Sequence, residues 1–215
     1  LNWWYAAPVS GLGFNDNSID IHYAPGPAVG APASISFTPD FGTVAFENRT
    51  RTVAAGQPTT IDFYREPGTL HVWAEGDVAL TSRGGTEYFA LPDPNLFAGW
   101  ALRAALADSG IAVLGATGST TDSMRYHAAR QGAPLAEVSS RPVKDWIFPI
   151  LNTSQNWYAE MLLKQLGRQF RQDGSWRGGL AVEQRFLVDS VGIDSTLFAL
   201  RDGSGLSAAD LVAPL

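Results

Sequence analysis

Asn152-Thr-Ser-Gln-Asn-Trp-Tyr-Ala-Glu-Met-Leu-Leu-Lys-Gln-Leu-Gly167 is the stretch on which the reading of this chain turns. Its back half, Trp157 to Leu166, has helical spacing: Leu162, Leu163 and Leu166 carry the apolar burial, Trp157, Met161 and Lys164 share a second face, and Gly167 supplies the stop. Its front half sets Ser154 and Asn156 on either side of Gln155, just ahead of that helix. At a tight bend the hydroxyl and the carboxamide would face one cleft. There the hydroxyl relays a proton towards a leaving amine, and the amide holds a substrate carbonyl or a neighbouring lysine. The plainer role for Ser154 is to cap the helix starting near Asn156.

Arg141 to Leu151 reads as another helix, with Pro142 and Pro149 at or near its ends or kinking it. Trp176 to Val191 fits a further helix ended by Gly192, with Val182, Phe186, Leu187 and Val191 turned inward. Asp93-Pro94 offers an N-cap and a first-turn proline to a helix whose stripe is Leu96, Trp100, Ala104 and Ala107 and whose stop is Gly110; Ile111 to Leu114 follows as a short strand. Before Leu91 the pattern is β-type. Short runs at Ser18–Tyr23, Ala33–Phe37, Thr43–Asn48, Thr60–Tyr64, Thr69–Ala74, Val78–Thr81 and Thr86–Ala90 alternate with turn residues, and Ile19, Ile21, Tyr23 and Ile61, Phe63 keep the period-2 alternation of half-buried strands. The Pro/Gly cluster Ala24 to Pro32 is a loop or edge crossing. These patterns predict an α+β fold, β-rich over residues 1–91 and mixed, largely helical over 92–215.

With 215 residues, 45% hydrophobic and 17% charged, the chain can bury a substantial core in one or two domains. A formal charge of -6 and a pI near 5.0 argue against a nucleic-acid partner, which needs concentrated Lys and Arg. The absence of cysteine removes disulfide and thiolate chemistry, and His22, His71 and His127 are too far apart for a local metal motif, so no metal or cofactor is expected. No apolar run approaches the roughly 20 residues of a membrane span. The tryptophans are expected mostly in the core, and a start at Leu1 inside the aromatic run Trp3-Trp4-Tyr5 is expected of a processed or truncated chain.

The Asn152–Gly167 stretch closely resembles the S-x-N-x-x-A-E-x-L-L-x-x-L-G element of the serine D-alanyl-D-alanine carboxypeptidases of the penicillin-binding-protein 4 type. Asp202-Gly-Ser-Gly-Leu-Ser207 matches the same family's D-G-S-G-L-S signature, downstream of a Trp-Arg-Gly-Gly-like turn at Trp176 to Gly179. Tyr5-Ala-Ala-Pro-Val-Ser-Gly-Leu12 with Asn15-Asp-Asn-Ser-Ile19 resembles a passage of the family's inserted domains, and Phe97 to Ile111 resembles its helix leading to G-I. The blocks run in family order over nearly the whole chain.

The resemblance implies a periplasmic or secreted parent that trims peptidoglycan stem peptides through an acyl-enzyme and takes β-lactams. Residues 1–91 would belong to its inserted domain, and 92–215 to the helical part of its β-lactamase/transpeptidase-like domain. Ser154 and Asn156 carry over as the second catalytic element. The nucleophilic Ser-x-x-Lys does not, because neither Lys144 nor Lys164 has a serine three positions before it, and Ser140 misses Lys144 by one. Neither lysine precedes Thr-Gly or Ser-Gly, so the third element is missing too. Both are expected outside Leu1–Leu215, which leaves this chain alone inactive. The alternative is a catalytically dead peptidoglycan-binding or interaction module. Asp202-Gly203 and Gly205 favour a tight turn.

Overall fold

The alternation at Ile19 and Ile21 forms the middle of a sheet. In the computed structural model, which describes residues 2–214, β1 (Ser18–Ala24) pairs antiparallel with β2 (Ser34–Thr38) on one side and β6 (Gly85–Ala90) on the other. A second sheet has the order β3 (Ala45–Val53), β5 (His71–Ala79), β4 (Asp62–Arg65), with β5 parallel to β3 and antiparallel to β4. Ile19, Ile21 and Phe89 of the first sheet share one core with Phe63, Val72 and Ala74 of the second. Burying each large apolar side chain contributes about 1.5–3 kcal/mol. His22 sits on the other face of β1 and bridges Thr86 and Thr38 through its two ring nitrogens.

β5 fuses the two short strands expected at Thr69–Ala74 and Val78–Thr81. Gly76 resembles a turn in the sequence, but it lies at φ 105° inside the strand, and a Cβ there would come within 2.5 Å of the Thr60 carbonyl oxygen. The glycine accommodates a close backbone approach and does not break the strand.

α1 (Pro94–Asp108) begins as expected: the Asp93 carboxylate accepts the Leu96 N–H at 3.0 Å. Asp93→Ala should cost about 1 kcal/mol, read as a lowered denaturant midpoint. The buried face differs from the expected stripe. Pro94, Phe97 and Ala98 are buried, and Phe97 meets Phe14 and Phe41 with ring centroids 5.5 and 5.6 Å apart. The first turns of α1 thus dock through an aromatic cluster, which sets the helix rotation in place of the longer Leu96–Ala107 stripe. Trp100 packs at the edge of the core, and none of the tryptophans is buried. Phenylalanine fills the interior, where an indole N–H would need a partner. Ile111 to Leu114 forms no strand, since no strand lies beside it to pair; the Val113 carbonyl accepts from Arg103 at 2.8 Å, and Leu114 is exposed. This first compact unit runs to Ser119.

The second unit, from Thr120, contains α2 (Ser123–Ala129), α3 (Lys144–Asn152), α4 (Asn156–Arg171), α5 (Trp176–Phe186) and a short antiparallel pair, β7 (Phe198–Ala199) with β8 (Leu211–Val212). α4 does not stop at Gly167. It continues to Arg171 and ends at Gln172 in the left-handed region, φ 55°. A Cβ at Gly167 would lie 2.5 Å from the Gly179 nitrogen and 2.8 Å from the Gly178 carbonyl carbon, so this glycine marks the crossing of α4 and α5. α5 correspondingly buries Gly178 and Gly179, whereas Phe186 and Val191, expected to turn inward, are exposed. The chain therefore has an α+β fold. No described helix is long and apolar enough to cross a membrane.

Candidate active site

The Ser154 bend is built by the junction of two helices. The Thr153 hydroxyl donates to the Pro149 carbonyl at 2.7 Å and closes α3, placing Pro149 inside the last turns of that helix. Ser154 then takes φ 55°, a left-handed conformation uncommon for a residue with a Cβ, and the Asn156 N–H returns to the Ser154 carbonyl at 3.0 Å. The helix N-cap is Gln155, with no side-chain cap bond, so Ser154 does not play the capping role. Ser154 is exposed and Asn156 half-buried at the first position of α4. Trp146 of α3 packs edge-on against Tyr158 of α4, centroids 5.0 Å apart, and fixes the junction. The Ser-x-Asn pair is thus held at a bend before a helix.

One turn below Asn156, Glu160 is buried at 8% exposure. Its Oε2 accepts the Trp176 indole N–H at 2.6 Å. Its Oε1 accepts the Gly203 and Ser204 backbone N–H groups, each at 3.0 Å, and the Ser204 hydroxyl at 2.7 Å. The Asp202–Ser207 turn is closed from within, because Asp202 accepts the Gly205 and Ser207 N–H groups at 2.7 Å each. Gly203 lies against α4, where a Cβ would be 2.9 Å from Leu163 Cβ and 3.0 Å from the Ala159 carbonyl oxygen. One carboxylate therefore joins three separate sequence blocks: the Ser-x-Asn helix, the start of α5 at Trp176, where the sequence pattern suggests a turn, and the Asp202 turn.

The sequence model described as D-Ala-D-Ala carboxypeptidase 3 (S13) family matches residues 1–215. The chain belongs to that family. It is 28% identical over 224 residues to the D-alanyl-D-alanine carboxypeptidase of Actinomadura sp. (strain R39), an alignment covering 98% of this chain and 41% of the relative. Its fold is similar to that of penicillin binding protein 4 from Haemophilus influenzae, at TM-score 0.79 and 19% identity over 100% of this chain and 46% of that one. A second structure of that protein, complexed with a novel β-lactam, matches at TM-score 0.75 and 20% identity over 98% and 47% of the two chains. This S13 chain thus spans less than half the length of the relatives it matches.

Within the S13 chain, Lys164 does not reach the bend. Its ammonium lies 3.9 Å from the centroid of the Trp176 ring, and burial pulls its pKa down against the opposing pull of Glu160 and Asp173. The motif pattern does not single out Glu160. The available signal was an acidic residue on the same helical face as buried Leu163, where a charge persists only when fully partnered. Glu183 of α5 is half-buried, and its Oε2 makes no hydrogen bond among the described residues. Burial lifts its carboxyl above the ordinary range, and the charges of Asp210, Glu160 and Asp202 push the same way. The folded chain therefore holds this proton more tightly than the unfolded chain. The group's contribution to stability falls as pH rises above about 4.3, the ordinary glutamate value. Titrating the thermal midpoint of wild type against Glu183→Gln should show the wild type losing more stability over that rise.

Proposed function

We propose that this chain is the central part of a serine D-Ala-D-Ala carboxypeptidase/endopeptidase that acts on peptidoglycan stem peptides outside the cytoplasm through an acyl-enzyme. In this reading a serine nucleophile and a Lys-Thr-Gly element from elsewhere in the protein complete the site. The nucleophile oxygen attacks the carbonyl of the penultimate D-alanine while its proton passes to a base beside it; the Ser154 hydroxyl relays that proton, receiving one as it gives one to the leaving amine of the last residue, and the Asn156 amide holds the substrate carbonyl or the partner lysine. Water then releases the acyl group. β-Lactams enter the same sequence because their amide carbonyl is attacked in the same way, with ring opening in place of departure of an amine.

The observation that carries the reading is the left-handed Ser154 two residues ahead of α4, which sets Ser154 and Asn156 at a bend with the Asp202–Ser207 turn anchored one helical turn below. In the complete protein, Ser154→Ala should lower kcat/KM on a D-Ala-D-Ala peptide and the rate of acylation by a fluorescent penicillin by about 10²-fold. Unchanged rates would overturn the assignment. Residues 1–215 alone should take no covalent penicillin label, since no nucleophile of the required kind lies among them.

A further inference from the structure

The first unit carries a cleft of about 550 Å³ between the later turns of α1 and the loop that follows β2. That volume lies within the range of about 300–1,000 Å³ usual for small-molecule sites. α1 docks through its first turns, and further along it Trp100, Arg103, Ala104 and Ala107 line the cleft. Trp100 is half-buried where it packs at the edge of the core, which steadies its ring, and the short alanine side chains beside it leave room above the helix. Asp40 and Arg103 supply opposite charges to the wall, and each is positioned by backbone. The Asp40 Oδ1 accepts the Gly42 N–H at 2.8 Å, and Arg103 donates to the Val113 carbonyl at 2.8 Å and to the Gly115 carbonyl. Neither joins an ion pair among the described residues. The carboxylate therefore keeps acceptor capacity, and the guanidinium keeps further N–H donors. Thr43 and Thr117 add hydroxyl groups to the same wall.

An aromatic face beside fixed donors and acceptors of balanced charge suits a sugar ring. The C–H groups of a pyranose pack on the indole, while its hydroxyls donate to the carboxylate and accept from the guanidinium in charge-assisted bonds. An apolar ligand would strand both charges away from water, and a polyanion would meet Asp40 and a chain of net charge -6. We propose that this cleft binds a saccharide unit of the peptidoglycan glycan strand. This rests on the peptidoglycan reading given above and not on the acyl-enzyme chemistry: in that reading Ser154 acts on the stem peptide, and the cleft holds the sugar backbone.

Glycan strands freed of their stem peptides by an amidase should bind the complete protein in titration calorimetry. Trp100→Ala should weaken that binding by about tenfold or more through loss of the stacking face. Because Trp100 touches the core, Asp40→Asn is the second variant. It keeps an oxygen to accept the Gly42 N–H but removes the charge, and it should weaken binding about fivefold with an unchanged thermal midpoint. No binding by the wild type, or undiminished binding by a folded Asp40→Asn variant, would overturn the proposal. Binding of free stem peptide in place of the glycan, weakened by the same substitutions, would overturn the occupant. Fluorescent-penicillin acylation of the wild-type sample is scored separately: loss of acylation counts against the acyl-enzyme reading, and loss of glycan binding against the cleft.

Discussion

Glu160→Ala should destabilise the second unit by about 4 kcal/mol. The carboxylate is buried and accepts four donors, from Trp176, Gly203 and twice from Ser204. Hydrogen bonds to a charged acceptor contribute about 1.5–3 kcal/mol each, and donors stranded by removal of a buried partner keep the cost of having left water. The sum is reduced because the Asp202 turn is close enough to solvent for water to recover part of it. The loss should appear as a lowered denaturant midpoint, accompanied by faster hydrogen exchange at the Gly203 and Ser204 amides. Glu160→Gln should fall between, because its carbonyl oxygen still accepts while its NH₂ group meets a donor. A midpoint within 1 kcal/mol of wild type for the alanine variant would refute the anchoring role.

Gly179→Ala should cost about 3 kcal/mol, the upper end of the overpacking range. The added methyl would lie 2.7 Å from Leu163 Cγ and press on the Leu163 carbonyl, and backbone cannot swing aside as a side-chain tip does. The same crossing holds Gly167 and Gly178, so the two helix axes must separate to admit one Cβ. The variant should lose the α4–α5 contact and show a lower, broader thermal transition, while the first unit, whose core lies between its own sheets, keeps its protection from exchange. An alanine variant as stable as wild type would mean that the helices do not cross at this distance.

Local chemistry was legible in the sequence wherever a single segment decides the outcome. Ile19 and Ile21 alternate because one sheet face is buried, Asp93 caps because its carboxylate reaches the N–H three residues on, and the bend expected at Ser154 is there as left-handed backbone. What the sequence hid depends on a second segment. Gly167 carries the local mark of a helix stop, yet its function is to let α5 approach, and the helix continues past it because nothing there requires left-handed backbone. The rotation of α1 follows Phe14 and Phe41, far away along the chain, and the stripe on α1 itself does not predict it. Glu160 resembles an ordinary surface acid until the Asp202 turn folds onto it.

The backbone at Ser154 has a consequence for evolution in the laboratory. A non-glycine residue in the left-handed region gives up about 1 kcal/mol relative to glycine, which adopts it freely. Selection of this protein for heat resistance alone should therefore enrich Ser154→Gly or Ser154→Asn, while selection that also demands the proposed hydrolysis should retain the serine. The position would then record, in the variants that survive each regime, how much stability the chain gives up for the proton relay proposed for one hydroxyl group.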